Sequence, residues 1–338
     1  MPASGPLSVP AQLTSGLRHL TNRSLHRLVD HSVHLFERVS RPRFEQRVGR
    51  AGVRITRDLR YAEGAGRAHL LDVYQPRGAP VPGAPSRATH PVIFYVHGGG
   101  FAMLSKDTHR VFALAFARRG YVVVNISYRL GVTHPFPEPL QDAAEALVWA
   151  REHVAEYGGD ITRLALVGES AGGNLVTALA LACASPPLLQ PQPLLPPLQV
   201  KPRAVIPFYG LLEVANLERL RAKRRMPPHI WSQLQHAAES YLGRDFRTRV
   251  AEWANPLTLI EALPAGTALP AFFSICGTKD PLLSDSKRLH AALERIGAQS
   301  ELVVAPGEIH AYNVLFWRPA AKDAWRRTWA FLGRELPT

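Results

Sequence analysis

Short apolar runs of strand length recur along most of the chain. They lie at about residues 53–59, 69–74, 91–96, 121–127, 164–167, 204–208, 271–276 and 301–305. Helix-like stretches at about 106–119, 139–157, 284–296 and 320–332 follow several of these runs. Strands that alternate with helices form a mostly parallel sheet with helices on both faces. The pattern therefore predicts an α/β fold.

Three parts of the chain depart from this alternation. Residues 1–52 carry apolar positions at helix-like spacing among Arg and His, which predicts one or two amphipathic helices that cover the protein's own core or lie on a membrane surface. The proline-rich segment 185–202 is either a polyproline ligand or a stiff connection, and we favour the connection. Residues 211–262 are helix-like, including an amphipathic stretch at 230–242, and predict a lid over the sheet.

The run at 164–167 leads into Gly168-Glu169-Ser170-Ala171-Gly172, and a helix of small residues follows. This G-x-S-x-G pattern between a strand and a helix is typical of a nucleophile elbow. Glycine on both sides removes side-chain bulk where the backbone turns sharply. We therefore predict that Ser170 is a nucleophile, in preference to an ordinary turn serine.

A serine hydroxyl needs a base to take its proton and a third group to orient that base. In α/β-hydrolases these follow the nucleophile in the order acid, then histidine. Asp280 and His310 come directly after two later strand-like runs and fit that order. Taken singly, Asp280 could be an Asp-Pro turn residue with Asp285 as its competitor, and His310 could be one of many loop histidines. Their order and placement together favour the catalytic interpretation.

A glycine loop, Gly98-Gly99-Gly100, follows the run at 91–96. Such a loop lets backbone N–H groups approach an oxyanion, together with the amide of the residue after the nucleophile, Ala171. A phosphate-binding loop is the weaker alternative because no Walker lysine accompanies it. We expect His97 to orient this loop and not to act as a base.

The charge, the length of the apolar runs and the cysteines exclude several classes of partner and site. The formal net charge is +13, yet the basic residues are scattered and not interleaved with aromatic residues, so we expect no nucleic-acid partner. No apolar run is long enough to span a membrane, and no secretory signal is recognisable. The two cysteines, Cys183 and Cys276, lack metal-ligand spacing, so we expect free thiols in the cytoplasm and no metal site.

The chain resembles the hormone-sensitive-lipase-like carboxylesterases of the α/β-hydrolase fold. The resemblance rests on HGGGF at 97–101, SYRL at 127–130, HPFPEPLQD at 134–142, YGGD at 157–160, ESAGGN at 169–174, DPL at 280–282 and IH at 309–310. Two departures are Glu169, where the family usually has aspartate, and Gly131-Val132-Thr133, where it usually has Ala-Pro-Glu.

The resemblance implies a serine esterase for short- to medium-chain esters that needs no cofactor. It implies the triad Ser170, Asp280 and His310, and the oxyanion amides of Gly99, Gly100 and Ala171. It also implies a core of residues 53–210 and 263–338, with a helical cap built from residues 1–52 and 211–262.

Three residues are expected to line the substrate pocket: Phe101, Tyr209 and Trp231. The alternatives are an amidase or arylformamidase with the same triad, and a non-catalytic ligand receptor on the same fold. Peripheral membrane association through the basic amino terminus also stays open, and the sequence does not decide whether the chain forms a homodimer.

Overall fold

The computed structural model describes residues 39–80, 89–184, 194–222, 226–243 and 251–337. Helix α1 is described from residue 39 to residue 51. The helices predicted upstream of residue 39 therefore lie outside the described residues. So do residues 81–88 of the loop after β2 and residues 185–193 of the proline-rich segment.

The described strands form one eight-stranded sheet in the order β1-β2-β4-β3-β5-β6-β7-β8. The pairings of β1 with β2 and of β2 with β4 are antiparallel, and the other pairings are parallel. The predicted mostly parallel α/β sheet is thereby confirmed. The strand bounds are β1 Arg54–Arg60, β2 Leu70–Gln75, β3 His90–Val96, β4 Val122–Ile126, β5 Gly159–Glu169, β6 Ala204–Phe208, β7 Ala271–Gly277 and β8 Ser300–Ala305.

Helices cover both faces of the sheet because successive side chains of a strand point to opposite sides. In β3, Phe94 packs in the apolar cluster that contains α3, α4 and α8, whereas Tyr95 packs in the cluster that contains α1, α2 and α9. The helix bounds after α1 are α2 Arg110–Ala117, α3 Glu138–His153, α4 Ala171–Ala184, α5 Glu218–Ala222, α6 Pro228–Leu242, α7 Pro256–Ala262, α8 Leu283–Ile296 and α9 Pro319–Glu335.

Two helices are shorter than the sequence pattern indicates. The helix expected from about residue 106 begins at Arg110, because residues 106–109 form turns that bury the Lys106 side chain. The helix expected to reach residue 157 ends at His153 and continues as one 3₁₀ turn. Gly158, with φ of 82°, ends that turn in the left-handed conformation that glycine adopts without strain.

Helix α6 is fixed beside the loops that follow β3 and β4. The ring of Tyr241, near the end of α6, stacks on Phe101 with centroids 3.8 Å apart. The N–H of Phe136 donates to the Tyr241 carbonyl at 2.5 Å. A Cβ at Gly131 would lie 2.4 Å from the Ser240 carbonyl oxygen, so this close approach needs glycine. These contacts hold α6 next to the carboxyl ends of the strands.

Within the described residues, no helix combines the length and the apolar character that crossing a membrane requires.

A buried ion pair fixes the loop between β3 and α2. The Lys106 ammonium lies 2.7 Å from the fully buried Asp72 carboxylate of β2 and 2.8 Å from Asp58. Breaking such a pair from one side is costly, because among the described residues buried Asp72 would keep only the longer ion pair with Arg57, at 3.7 Å.

Lys106→Met should therefore lower the free energy of unfolding by roughly 3 kcal/mol. Urea unfolding followed by circular dichroism measures this change. The matched control is Lys106→Met combined with Asp72→Asn, which removes both charges and should cost less than the single change. A single variant within about 0.5 kcal/mol of the wild type would contradict the assignment.

Candidate active site

Ser170 lies at the sharp turn between β5, which ends at Glu169, and α4, which begins at Ala171. Its φ of 52° lies in the left-handed region, which side chains other than glycine rarely adopt. The Ser170 N–H donates to the Phe208 carbonyl at 2.9 Å, and its carbonyl accepts from the Leu211 N–H at 3.2 Å. Bonds to the neighbouring β6 segment thus hold the strained residue in place.

The two flanking glycines provide the predicted clearance. A Cβ at Gly168 would lie 2.3 Å from the Gly172 carbonyl oxygen, and one at Gly172 would lie 2.2 Å from the Val96 carbonyl oxygen. Neither position can accept a side chain without moving the backbone.

The loops after β7 and β8 bring Asp280 and His310 to Ser170. His310 Nδ1 lies 2.8 Å from Asp280 Oδ2, and His310 Nε2 lies 3.1 Å from Ser170 Oγ. A carboxylate only accepts hydrogen bonds, so Nδ1 carries the proton and Nε2 is left to accept from the serine hydroxyl. The Leu282 N–H donates to Asp280 Oδ1 at 2.8 Å and fixes the buried carboxylate.

The competing carboxylate, Asp285, has other partners. It is fully buried at the start of α8, where it accepts from Arg219 at 2.9 Å and from the Leu212 N–H at 2.9 Å. Its contacts tie α8 to the segment after β6. Asp280, and not Asp285, is the carboxylate that contacts the histidine.

The surroundings of His310 make it a stronger base than an ordinary histidine. Partial burial of the imidazole acts to lower its pKa. The negative charge and hydrogen bond of Asp280, together with the charge of Glu169, outweigh burial and raise the pKa above its ordinary value of 6.5.

The glycine loop after β3 turns its backbone beside Ser170. Gly99 and Gly100 have φ of 111° and 59°, and a Cβ at Gly99 would lie 2.2 Å from the Met103 carbonyl oxygen. Within the described residues, the N–H groups of Gly99, Gly100 and Ala171 donate to no protein acceptor. Ala171 is the first residue of α4, where the N–H groups of a helix have no partner inside it. These three amides are therefore available to a bound oxyanion.

A cavity of about 540 Å³ opens onto Ser170 and His310. Its walls come from the loop after β3, from α6 and from the loop after β8. The described side chains that line it include no Asp, Lys or Arg, and the one acid is Glu169. The apolar lining residues beyond the glycines are Ala102, Met103, Leu104, Leu211, Ile230, Leu234, Ala237, Pro281, Leu282, Ala311 and Val314.

Comparison with known proteins places this site in a family. A family model described as the alpha/beta hydrolase fold matches residues 93–314. Carboxylesterase NlhH of Mycobacterium tuberculosis is 31% identical over 262 residues, which cover 73% of this chain and 74% of the relative. The chain belongs to the hormone-sensitive-lipase-like family of carboxylic ester hydrolases.

Solved structures agree with this family. Esterase LipW from Mycobacterium marinum is 25% identical with a TM-score of 0.72, over 92% of this chain and 89% of that one. Esterase B from Lactobacillus rhamnosis is 19% identical with a TM-score of 0.69, over 91% and 96% of the two chains, and shows the fold alone.

Two residues expected in the esterase pocket lie elsewhere, which corrects the sequence-based interpretation. Phe101 is fully buried and stacks on Tyr241, so it holds the glycine loop against α6 and does not face the cavity. Trp231 is half-buried, and the Arg221 guanidinium lies 5.5 Å from its ring centroid. Its neighbours Ile230 and Ser232 line the cavity, whereas Trp231 packs away from it.

The third expected residue, Tyr209, does line the cavity and also contacts the histidine. Its ring meets the His310 ring edge-on, with centroids 4.8 Å apart. Its hydroxyl lies 2.6 Å from Glu169 Oε2 and 2.7 Å from the Asn313 side-chain amide. A phenol has one proton, and a carboxylate can only accept it. The hydroxyl therefore donates to Glu169 and can accept from Asn313 when the amide presents its nitrogen.

Glu169 is the centre of a buried network that the sequence did not reveal. Its carboxylate accepts from Tyr95 at 2.8 Å and from Tyr209, and lies 2.8 Å from His109 Nε2. Burial acts to raise the Glu169 pKa, but the charge and hydrogen bond of His109 and the two tyrosine hydroxyls lower it to about 2. Glu169 is thus an anion held directly beside the nucleophile.

Glu169 also contacts the glycine loop after β3. A Cβ at Gly98 would lie 3.3 Å from Glu169 Cγ and 2.9 Å from its carbonyl oxygen, so the loop rests directly on this residue. Tyr95, His109 and Tyr209 come from three separate segments, and for that reason no local motif points to the network.

One group of described side chains has metal-ligand spacing: His69, Asp142 and Glu145. It lies away from Ser170, on the segment before β2 and on α3. The Arg129 guanidinium already binds both oxygens of Asp142, with Nη2 2.6 Å from Oδ1 and Nε 3.0 Å from Oδ2. A metal ion there would face this fixed cation, so the group is better described as an ion pair.

The pKa of His310 predicts the pH dependence of hydrolysis. The base must be neutral to take the serine proton, and its pKa is raised, so kcat/KM should fall as the pH drops through a value above 6.5. Asp280→Asn should move this limb to lower pH and reduce kcat/KM by roughly 10³-fold or more. A pH–rate profile with a neutral p-nitrophenyl ester measures both. An unchanged limb in the variant would contradict the assignment of Asp280.

The charge of Glu169 should also affect the base. Glu169→Gln keeps the size of the side chain but removes the negative charge that helps to raise the His310 pKa. The acidic limb of kcat/KM should therefore move to lower pH, and kcat should fall by roughly tenfold as the oxyanion loop and Tyr209 lose their anchor. Glu169→Asp is the matched control, since it keeps the charge. A limb that stays in place in Glu169→Gln, despite a loss of stability, would show a purely structural role.

Proposed function

We propose that this protein is a serine carboxylesterase that acts through an acyl-enzyme on Ser170. The observation that supports the proposal most directly is the hydrogen-bonded chain from Asp280 through His310 to Ser170, which opens onto a cavity. It is the arrangement that makes a serine hydroxyl nucleophilic at neutral pH.

In the proposed reaction, Ser170 Oγ attacks the ester carbonyl while His310 Nε2 takes its proton. The negative charge that develops on the carbonyl oxygen is stabilised by the amides of Gly99, Gly100 and Ala171. His310 then gives the proton to the leaving alkoxide, which departs as the alcohol. A water molecule, deprotonated by the same imidazole, attacks the acyl carbon. The bond to Ser170 Oγ breaks, the imidazolium returns its proton to Oγ, and the carboxylic acid leaves. Asp280 stabilises the imidazolium in both halves of the reaction.

The proposed substrates are neutral esters with short to medium acyl chains. Among the described residues, the cavity lining includes no lysine or arginine that could pair with a substrate carboxylate or phosphate. Side chains of α6, including His229, Gln233 and His236, add polar groups on one wall. That wall suits a polar alcohol portion, whereas Met103 and Leu104 suit an acyl chain.

We also propose that residues 211–262, together with 1–52, form a cap over a core of residues 53–210 and 263–338. The contribution of α6 to the cavity wall supports the part that lies at 211–262. The two free cysteines, Cys183 and the buried Cys276, are compatible with the proposed cytoplasmic location. The homodimer stays a prediction.

Two alternatives from the sequence remain testable. An amidase or arylformamidase would use the same three side chains on an amide, and the ratio of kcat/KM for matched ester and amide substrates distinguishes it. A non-catalytic receptor would leave Ser170 unlabelled by a fluorophosphonate probe, whereas an active serine esterase is labelled.

Ser170→Ala should reduce hydrolysis of p-nitrophenyl butyrate by at least about 10⁴-fold, because the nucleophile is removed. Stopped assays at pH 8 with purified protein measure this loss. Ser300→Ala, a serine at the start of β8, is the control for the substitution and should retain full activity. Turnover by Ser170→Ala near the wild-type level would exclude the proposed mechanism.

An acyl-chain series tests the substrate class. The kcat/KM for p-nitrophenyl esters should be highest with short to medium chains and fall by roughly tenfold or more for a palmitoyl ester, because α6 forms one wall of the cavity and limits the length of the acyl chain. Equal values for butyrate and palmitate would contradict the proposed size limit.

A further inference from the structure

The loop between the catalytic histidine and α9 carries an unusual concentration of exposed apolar side chains. Among the described residues, seven large hydrophobic side chains are exposed, and four of them lie within residues 309–317. These are Ile309, Val314, Phe316 and Trp317, and Trp317 is 71% exposed. We call residues 309–317 the exposed loop. Contiguous apolar exposure of this kind marks an interaction surface more often than scattered single residues do.

The exposed loop connects the active-site cavity to a second feature. Val314 lines the cavity beside His310. Phe316, two residues later, lines a groove between α2 and α9, where it stacks on Trp325 with centroids 5.7 Å apart. Trp329 lies on the other side of Trp325, with centroids 5.0 Å apart. An apolar path therefore runs along the surface from the cavity to this groove.

The groove is cationic at its rim. Arg118, Arg119, Lys322 and Arg326 line it, and all four side chains belong to exposed residues. Among the described residues of the groove and the adjoining exposed loop, Arg318 and Arg327 bring the cations to six. The carboxylates there are Glu308, which pairs with Arg318, and Asp323, which pairs with Arg326 and Arg327. Within the described residues, neither Arg118 nor Lys322 has an ion-pair partner, so the surface keeps a clear positive excess.

We propose that the exposed loop and this groove dock the protein on an anionic lipid surface. Exposed tryptophan and aliphatic side chains insert at the headgroup level of a bilayer, and neighbouring lysine and arginine side chains bind anionic headgroups. Exposed apolar side chains and cationic side chains occur together here, at the edge of the cavity, and this combination favours binding to an anionic lipid surface. Esters dissolved in the bilayer would then meet the cavity at the docked edge.

The chemistry of the patch disfavours two other occupants. A second copy of the chain would place two positive surfaces against each other across a symmetric interface, which costs free energy. A single-stranded nucleic acid would stack its bases on exposed aromatic faces. Here Trp317 and the partly exposed Phe316 are the aromatic side chains of the exposed loop that a base could reach. Trp325 is buried, whereas Ile309 and Val314 are aliphatic side chains that suit acyl chains better than bases.

The test is co-sedimentation of the full-length protein with vesicles of phosphatidylcholine alone or with about one third phosphatidylglycerol. The wild type should bind the anionic vesicles and not the neutral ones. Trp317→Ser should weaken this binding by roughly fivefold, and Arg118→Glu combined with Lys322→Glu by roughly tenfold or more. Lys201→Glu, an exposed charge reversal just before β6, is the matched control and should change binding less than twofold.

Soluble p-nitrophenyl ester hydrolysis should be unchanged in all of these variants, because none of the substituted side chains lines the cavity. The hydrolysis assay therefore tests the proposed esterase function, and the vesicle assay tests lipid docking, independently of each other. Equal binding to neutral and anionic vesicles, or no binding, would overturn the proposal. If Trp317→Ser and Arg118→Glu/Lys322→Glu both bound vesicles as the wild type does, the attachment would lie in another segment, such as the basic amino terminus. A dimer in sedimentation velocity that the patch variants convert to a monomer would assign the surface to a second copy.

Discussion

The turn at Ser170 is the constraint on which the site depends. A serine with φ of 52° at the end of β5 costs free energy, and it persists only because its surroundings determine it. Backbone hydrogen bonds to Phe208 and Leu211 hold Ser170 in place. Because Gly168 and Gly172 have no side chains, β5, α4 and the loop after β3 approach within van der Waals contact. The same approach brings the glycine loop after β3 and the start of α4 next to Ser170, which is the arrangement that the proposed mechanism requires.

Buried carboxylates hold the parts of the sheet edge together. Asp72 binds Lys106, Asp142 binds Arg129, Asp285 binds Arg219, and Glu169 binds His109. Each acid lies on or beside one element, and its basic partner comes from another, so every pair joins two segments. Such pairs need not add much net stability, but they leave one arrangement in which every charge has a partner. That specificity is what a site assembled from five loops requires.

The sequence predicts what is local and periodic. The strands, most helices, the turn at Ser170 and the order of Asp280 and His310 all follow from short patterns of apolar residues, glycines and strand ends. The sequence does not predict which way a side chain on a helix points. Trp231 lies on α6 and is expected in the pocket, but its neighbours Ile230 and Ser232 line the cavity and Trp231 does not. Nor does the sequence reveal Glu169 with Tyr95, His109 and Tyr209, because their contacts depend on strand order and not on spacing.

The contact of Phe101 with Tyr241 has a mechanical consequence. Phe101 belongs to the loop that carries Gly99 and Gly100, whereas Tyr241 belongs to α6, which closes the cavity. An outward swing of α6 would pull directly on this stack and on the backbone bond from Phe136. The stack therefore ties the position of the Gly99–Gly100 loop to that of α6, so that one wall of the cavity and the backbone beside Ser170 hold their places together.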